Sequence, residues 1–508
     1  MSRIASTLLA VAFFASLLTA CSDGSDNRSS GVVNPCVGAE AETERLFLQQ
    51  LTDTSVIIKW RGEATAACIG ASADNLDTLV EATATDGDHK EALFSGLSPQ
   101  SMYFYSIGGA NTAPADQFYT TAPAAGEVPQ DGNTRVWLIG DAGTNGDDEA
   151  NHAGEAAEVL AGMEAFVAAD GEPVDVFMML GDNAYDVGSD FNHQQAVFEL
   201  YVALLKQVSV WPTIGNHEMG LGAEIPLPGL GTSADPDSYR ATTEDEPFRM
   251  PYLSIFSLPS DGEAGGVPSG TEQYYSFDYG NVHLVSLDSQ LSARDENQIT
   301  AMRDWLVDDL STNDADWTIV IFHHPPYSKG ANHDSDDTAK LGGFDEPQRY
   351  MREQFVPVFD AYGVDLVYNG HSHSYERSYY LHDHTGTSDT FSTAEHAELI
   401  DGDPDNPASG RGDEAYDQLS PTSGGVDDRV IYTVAGNGGK ADENSGITDP
   451  VVWLLHAAHI VQPADTVSPK RRGLGIKGSI IVDANENQLQ ASFIDVNGDV
   501  QDSFTINR

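Results

Sequence analysis

Val174-Asp175-Val176-Phe177-Met178-Met179-Leu180-Gly181-Asp182-Asn183-Ala184-Tyr185 is a compact apolar run that halts at a glycine and then presents an aspartate, an asparagine and a tyrosine. A short apolar run bounded by turn residues reads as a buried strand. The glycine lets the backbone turn sharply at the strand's end and aim the next side chain inward. Outward from this stretch the grammar repeats. Apolar runs at 136–139, 210–214, 282–287, 317–322 and 364–368 read as further strands, and candidate helices lie between them at 151–169, 191–207, 295–310 and 347–362. Strands alternating with helices indicate an α/β domain, whose ligand site forms outside the carboxyl ends of the strands.

Five of the six strands end in residue types that can ligate metals: Gly140-Asp141-Ala142-Gly143, Gly181-Asp182-Asn183-Ala184-Tyr185, Gly215-Asn216-His217-Glu218, His323-His324-Pro325 and Gly370-His371-Ser372-His373. Taken singly, a Gly-Asp is more often a turn, and an Asn-His or a His-His in a loop is more often solvated. Five in succession at strand ends point to a metal centre.

The chain before this region has a different pattern. Apolar residues alternate at 44–51, 55–60, 92–97 and 102–107 with no helical stretch, so residues 35–121 read as a small all-β sandwich. A Pro/Ala/Gly-rich joint at 122–132 closes it, and residues 133–508 form the second unit. Within that unit, 220–270 and 385–428 are rich in Gly, Asp, Ser and Pro and read as long surface insertions. Residues 478–506 return to strands around the turn Asn497-Gly498.

Residues 1–21 open with Arg3 and an apolar run that ends at Leu18-Thr19-Ala20-Cys21, a secretory leader too short to span a membrane comfortably. The small residue before the cysteine resembles a bacterial lipoprotein cleavage box, with Cys21 the lipidated first residue. Residues 22–34 are a flexible tether, and Ser22 resembles the signal that routes lipoproteins to the outer membrane. The expected location is therefore periplasmic or cell-surface. Export to an oxidising compartment favours a disulfide between Cys36 and Cys68, with two buried thiols as the alternative.

With 25 Lys and Arg against 79 Asp and Glu, the net charge of -54 argues against binding a nucleic-acid backbone. A site for anionic substrates on this surface needs local cations to offset the field.

The ordered motifs resemble the five-block signature of the purple acid phosphatases within the metallophosphoesterase superfamily. Gly370-His371-Ser372-His373-Ser374-Tyr375-Glu376-Arg377 carries the resemblance most closely, Ala435-Gly436-Asn437-Gly438-Gly439 resembles the later glycine segment, and the first domain resembles a fibronectin type III module. The resemblance implies an αββα two-sheet metallophosphoesterase sandwich behind the small β-sandwich. It implies a first metal on Asp141, Asp182, Tyr185 and His373, and a second on Asp182, Asn216, His323 and His371, with Asp182 shared. In the fourth block the family spacing falls on His323, which leaves His324 outside the set.

Most metallophosphoesterases carry a histidine two residues after the first aspartate, where this chain has Gly143, and Tyr185 takes over that vacancy. A phenol with a reference pKa of about 10 needs a strongly polarising cation, so the first site suits Fe(III). The second suits a divalent Zn, Mn or Fe. The implied activity is hydrolysis of phosphate monoesters by a metal-bound hydroxide, with a phosphodiesterase or nucleotidase as the nearest alternative and a non-catalytic surface binding protein as an alternative of another class. His217 resembles the family's histidine beside the substrate. His333 falls where the second of two adjacent histidines is expected, and Asn332 departs from the first.

Overall fold

The computed structural model describes residues 33–130, 132–144, 154–219, 250–330, 333–339, 343–418, 427–441, 453–462 and 471–508. The leader, Cys21, most of the tether and Asn332 lie outside these residues. Among the described residues no helix is long and apolar enough to cross a membrane.

The period-two pattern of Ser55–Arg61 turns Val56, Ile58 and Trp60 into one core. That strand belongs to a four-stranded antiparallel sheet with Glu44–Gln49, His89–Ser95 and Thr83–Ala84. A second four-stranded sheet, from Thr78–Glu81, Ala66–Gly70, Met102–Ile107 and Phe118–Thr120, completes the all-β region. Cys36 and Cys68 form the expected disulfide and are buried beside Leu76.

Beyond it, two sheets face each other. The seven-stranded sheet runs Val210–Pro212, Val176–Met179, Thr134–Ile139, Gly478–Ala484, Gln488–Asp495, Val500–Asn507, Tyr416–Asp417. The six-stranded sheet runs Tyr275–Tyr279, Val282–Ser286, Trp317–Ile321, Leu366–Asn369, Ile431–Ala435, Tyr375–Arg377. Alternation assigns the faces of the second sheet. Leu284, Ile319, Ile321 and Leu366 join the core between the sheets, with Trp137 and Phe177 of the other sheet. Val285, Val320, Phe322 and Val367 turn outward to Met302, Leu306, Met351, Phe355 and Phe359 of the covering helices. Glu155–Asp170 covers the outer face of the first sheet near Gly478–Ala484 and Gln488–Asp495. The result is the αββα sandwich.

Some expected elements differ. The helix expected at 191–207 is three pieces, Asp190–His193, a π-helical Gln194–Phe198 and Val202–Leu205. The wider turn brings Phe198 within 5.0 Å of Phe47 in the β-sandwich, a tertiary contact that outweighs local propensity. The helix expected at 347–362 breaks at Phe355 into Glu346–Gln354 and Val356–Tyr362, because Pro357 lacks an N–H and crowds the preceding turn. The Gly/Asp-rich segments are not wholly peripheral. Tyr252 is buried and donates its hydroxyl to the Pro212 carbonyl, and Tyr416 is buried beside the edge strand it forms with Val500–Asn507.

The β-sandwich is bonded to the α/β region. Gln49 donates to the Val210 carbonyl, Lys59 to the Ser257 hydroxyl, and Leu48 bridges to Ser209. Arg45 and Arg61 both converge on Asp190, at 2.8 and 2.6 Å.

Candidate metal centre

The parallel strands Thr134–Ile139, Val176–Met179, Val210–Pro212, Trp317–Ile321 and Leu366–Asn369 deliver Asp141, Asp182, Asn216, His323 and His371 to one end of the two sheets. The turns are tight. Asp141, Asp182 and His371 adopt φ of 54°, 53° and 70°, a left-handed conformation that costs non-glycine residues on the order of 1–3 kcal/mol and clusters at functional sites. At Gly215 a Cβ would lie 2.2 Å from the Asp182 nitrogen, so the Asn216 turn packs against the Asp182 turn only because it begins with glycine.

Each carboxylate divides its labour. Asp141 Oδ2 accepts the His371 backbone N–H at 2.7 Å, while Oδ1 accepts the Tyr185 hydroxyl at 2.9 Å and lies 3.4 Å from His373 Nε2. Asp182 Oδ1 accepts the His217 backbone N–H, leaving Oδ2 3.2 Å from the Tyr185 hydroxyl and 3.3 Å from His323 Nε2. Asn216 Oδ1 lies 3.0 Å from His323 Nε2 and 2.9 Å from His371 Nδ1. The sequence-expected ligands thus gather as two groups on either side of Asp182 Oδ2. Ligand atoms of Asp141, Asp182 and His323 all fall within 4.8 Å of one another.

The donor chemistry fits cations. His323 Nδ1 faces the Leu180 carbonyl at 2.9 Å, and a carbonyl only accepts, so Nδ1 carries the hydrogen and Nε2 is the atom turned to Asn216 and Asp182. His371 Nε2 faces the Asp345 carboxylate at 2.9 Å, which leaves Nδ1 turned to the Asn216 oxygen. Acceptor atoms brought face to face in a buried site call for a positive charge between them.

The ionisation pattern agrees. Burial pulls His323 down, but the Asp182 carboxylate outweighs it and lifts the imidazole to about 9, a proton holding the place a cation would take. Burial, then the Asp141 and Asp182 carboxylates, push the Tyr185 hydroxyl well above its ordinary range, so a phenolate there requires a cation. Oxygen donors from Asp141, Asp182 and Tyr185 suit a hard ion, whereas two imidazoles with an amide and a carboxylate oxygen suit a divalent one.

His217 Nδ1 donates to the Asp186 carbonyl at 2.6 Å, and Nε2 lies 3.8 Å from Asp182 Oδ2, turned into the site. His333 packs against His371 with ring centroids 3.8 Å apart and the ring planes tilted by 39°. His324 is buried next to His323 and His371, with its Nδ1 engaged with the Ser289 hydroxyl and its Nε2 without a hydrogen-bond partner among the described residues.

Three residues near the centre had no role in the sequence reading. Glu218 is buried and accepts the backbone N–H groups of Asp182, Asn183 and Gly215 at 3.0, 2.7 and 2.6 Å, tying two ligand turns together. Its place beside Asn216-His217 was the available signal. Lys440 sets its ammonium 3.5 Å from the Tyr185 ring centroid, just past the Gly438-Gly439 pair. Asp345 lies before a helix in a stretch that carries no motif.

Residues 134–375 match the calcineurin-like phosphoesterase family. Among curated relatives, the phosphoenolpyruvate phosphatase of Allium cepa is 26% identical over 304 residues, 58% of this chain and 51% of that one. The Fe(3+)-Zn(2+) purple acid phosphatase 12 of Arabidopsis thaliana is 24% identical over 297 residues, 58% of this chain and 53% of that one. The chain spans about half the length of the curated relatives it matches. Among solved structures, purple acid phosphatase PPD1 from yellow lupin (Lupinus luteus) seeds has a TM-score of 0.59 at 18% identity, covering 93% of this chain and 75% of that one, and so shares its fold.

Proposed function

We propose that this chain, a calcineurin-like phosphoesterase related to the purple acid phosphatases, hydrolyses phosphate monoesters at a centre of two cations. Asp141, Asp182, Tyr185 and His373 would hold one, and Asp182, Asn216, His323 and His371 the other. The observation that carries this reading is Asp182 Oδ2, a single oxygen within 3.2 Å of the Tyr185 hydroxyl and 3.3 Å of His323 Nε2.

Bound cations supply Lewis-acid charge to the phosphoryl oxygens and make water nucleophilic near neutral pH, so no protein nucleophile is required. The chain's own groups do the rest. His217, its Nδ1 committed to the Asp186 carbonyl, presents Nε2 to hold the phosphate or pass a proton to the departing oxygen. His333 stands on the opposite flank against His371. Lys440 adds local positive charge to a chain whose net -54 would otherwise repel an anion.

The oxygen-rich set with Tyr185 supports Fe(III) in the first position, and the imidazole set supports Zn, Mn or Fe(II) in the second. The test is metal analysis of the purified protein together with a panel of alkyl and aryl monoesters, phosphoenolpyruvate, a diester and a nucleotide. Two metals per chain with preference for monoesters is expected. Preference for the diester or nucleotide, with the same metals, would overturn the substrate assignment.

The leader and Cys21 further support an exported, lipid-anchored protein, and the Cys36–Cys68 bridge suits an oxidising compartment. Fatty-acid labelling in cells, lost in Cys21→Ala, tests the anchor.

A further inference from the structure

Asp345 is fully buried, and one of its oxygens does two things. Oδ1 lies 2.9 Å from His371 Nε2 and 3.0 Å from His333 Nδ1. A carboxylate accepts from both, so both nitrogens carry hydrogen. His371 is thereby fixed with its Nδ1 lone pair toward Asn216, and His333 keeps Nε2 as its uncommitted ring nitrogen relative to Asp345. Oδ2 is buried without a hydrogen-bond partner among the described residues.

The local backbone makes this arrangement informative. Asp345 is the N-cap residue of Glu346–Gln354, a position where an aspartate ordinarily accepts a backbone N–H from the first helical turn. Here the side chain makes no cap and turns to the histidines instead. A group that forgoes its local hydrogen bonds, and leaves one buried oxygen unsatisfied, is held in place by what it does for its neighbours.

We infer that Asp345 is a positioning residue shared by the two flanks of the centre: through one oxygen it sets the tautomer and ring orientation of the ligand His371 and of the substrate-side His333. The inference rests on the two-cation reading proposed above, since it is the second cation that needs His371 Nδ1. Outer carboxylates that hold a ligand imidazole contribute roughly 10- to 100-fold to metal affinity or activity. One carboxylate oxygen serves His371 and His333 together, so a single substitution should disturb both functions.

The test compares wild type with Asp345→Ala, Asp345→Asn and Asp345→Ser, measuring Zn2+ affinity by competition with a chromophoric chelator, kcat and KM on an alkyl and an aryl phosphate, and the thermal midpoint. Asp345→Ala should weaken Zn2+ binding by roughly 10- to 100-fold. Its kcat on the alkyl phosphate should fall more than on the aryl phosphate, because a misdirected His333 matters most for a poor leaving group. Asp345→Asn keeps an accepting oxygen and should recover most of the Zn2+ affinity. Asp345→Ser restores a good N-cap residue but is too short to reach the histidines, so it should behave like Asp345→Ala.

Recovery by Ser rather than Asn would overturn the proposal in favour of a helix-start role, and so would folded Asp345→Ala with wild-type Zn2+ affinity. A wild type that binds no second cation would overturn the proposed function, and this inference with it. A wild type that binds two, beside an Asp345→Ala that binds both as tightly, would overturn this inference alone.

Discussion

Gly143 and Tyr185 compete for the same space: a Cβ on Gly143 would lie 2.8 Å from Cδ2 of the Tyr185 ring and 2.5 Å from its backbone nitrogen, while Tyr185 N–H donates to the Gly143 carbonyl at 3.1 Å. A side chain at position 143 and a phenol reaching Asp141 therefore exclude each other. The consequence is spectroscopic. Tyr185→Phe keeps the ring and deletes the oxygen, so an iron-loaded variant should lose the visible phenolate-to-metal band while keeping its fold. Absorption and resonance Raman spectra check this. An iron-loaded wild type without a tyrosinate signature would sink the ferric assignment.

Asp182 touches both donor groups through Oδ2, so Asp182→Ala should abolish turnover and empty both positions. Asn216→Ala removes a donor only from the group with His323 and His371 and should deplete chiefly the divalent metal. Tyr185→Phe should lose less activity than Asp182→Ala. Metal content and kcat on one aryl phosphate, measured together, rank the three.

The leaving group separates His217 from His333. With Nε2 of His217 turned to the site and Nδ1 held by the Asp186 carbonyl, His217→Ala should slow alkyl phosphates far more than an activated aryl phosphate, whose departing oxygen hardly needs a proton. Equal losses on both substrates would assign His217 to holding phosphate.

Glu218 is a structural keystone of the ligand turns. Glu218→Ala would strand three buried N–H groups, those of Asp182, Asn183 and Gly215. Unsatisfied buried donors cost about 1–3 kcal/mol each, so a loss of about 3 kcal/mol or more is expected in denaturant unfolding, with metal retention falling in parallel. A variant with wild-type stability and metal content would refute this role.

Away from the centre, His283 lies between Asp278 and Asp309 at 2.7 and 2.9 Å. Burial lowers the imidazole, but the two carboxylates outweigh it and raise it to about 9 from an ordinary value near 6.5. A raised pKa contributes stability that is fully present below about 6.5 and lost as the pH climbs through about 9. That window corresponds to on the order of 3 kcal/mol at most. The thermal midpoint of wild type should decline between pH 6.5 and 9, and His283→Gln should be less stable at pH 6 with a flatter profile. Parallel profiles would show that His283 contributes nothing to the slope.

The candidate metal-binding residues were legible because most follow an apolar strand and a glycine or strand end, a pattern set by the chain itself. Asp182 and His371 could be read without knowing what lay across the sheets. Asp345 could not, since only the fold brings it to His333 and His371. Glu218 was visible within Gly215-Asn216-His217-Glu218, but two of its three partners, the N–H groups of Asp182 and Asn183, belong to a distant turn. The helix breaks at Gln194–Phe198 and Phe355 divide the same way: Pro357 was a local warning, whereas the contact of Phe198 with Phe47 is tertiary. Tyr252 and Tyr416 anchor segments whose composition otherwise resembles solvent-exposed loop.

Arg45 and Arg61 reach out of the β-sandwich to Asp190, on the segment that leads away from Tyr185, and Gln49 reaches the strand that ends before Asn216. The sandwich is therefore no portable cassette. Recombination that delivered residues 133–508 without it would strip Asp190 of both guanidiniums and uncover Phe198, unsettling the approach to two ligand turns at once. Sequence change in either half is thus answerable to the other, and the pair is expected to be inherited, expressed and crystallised as a unit.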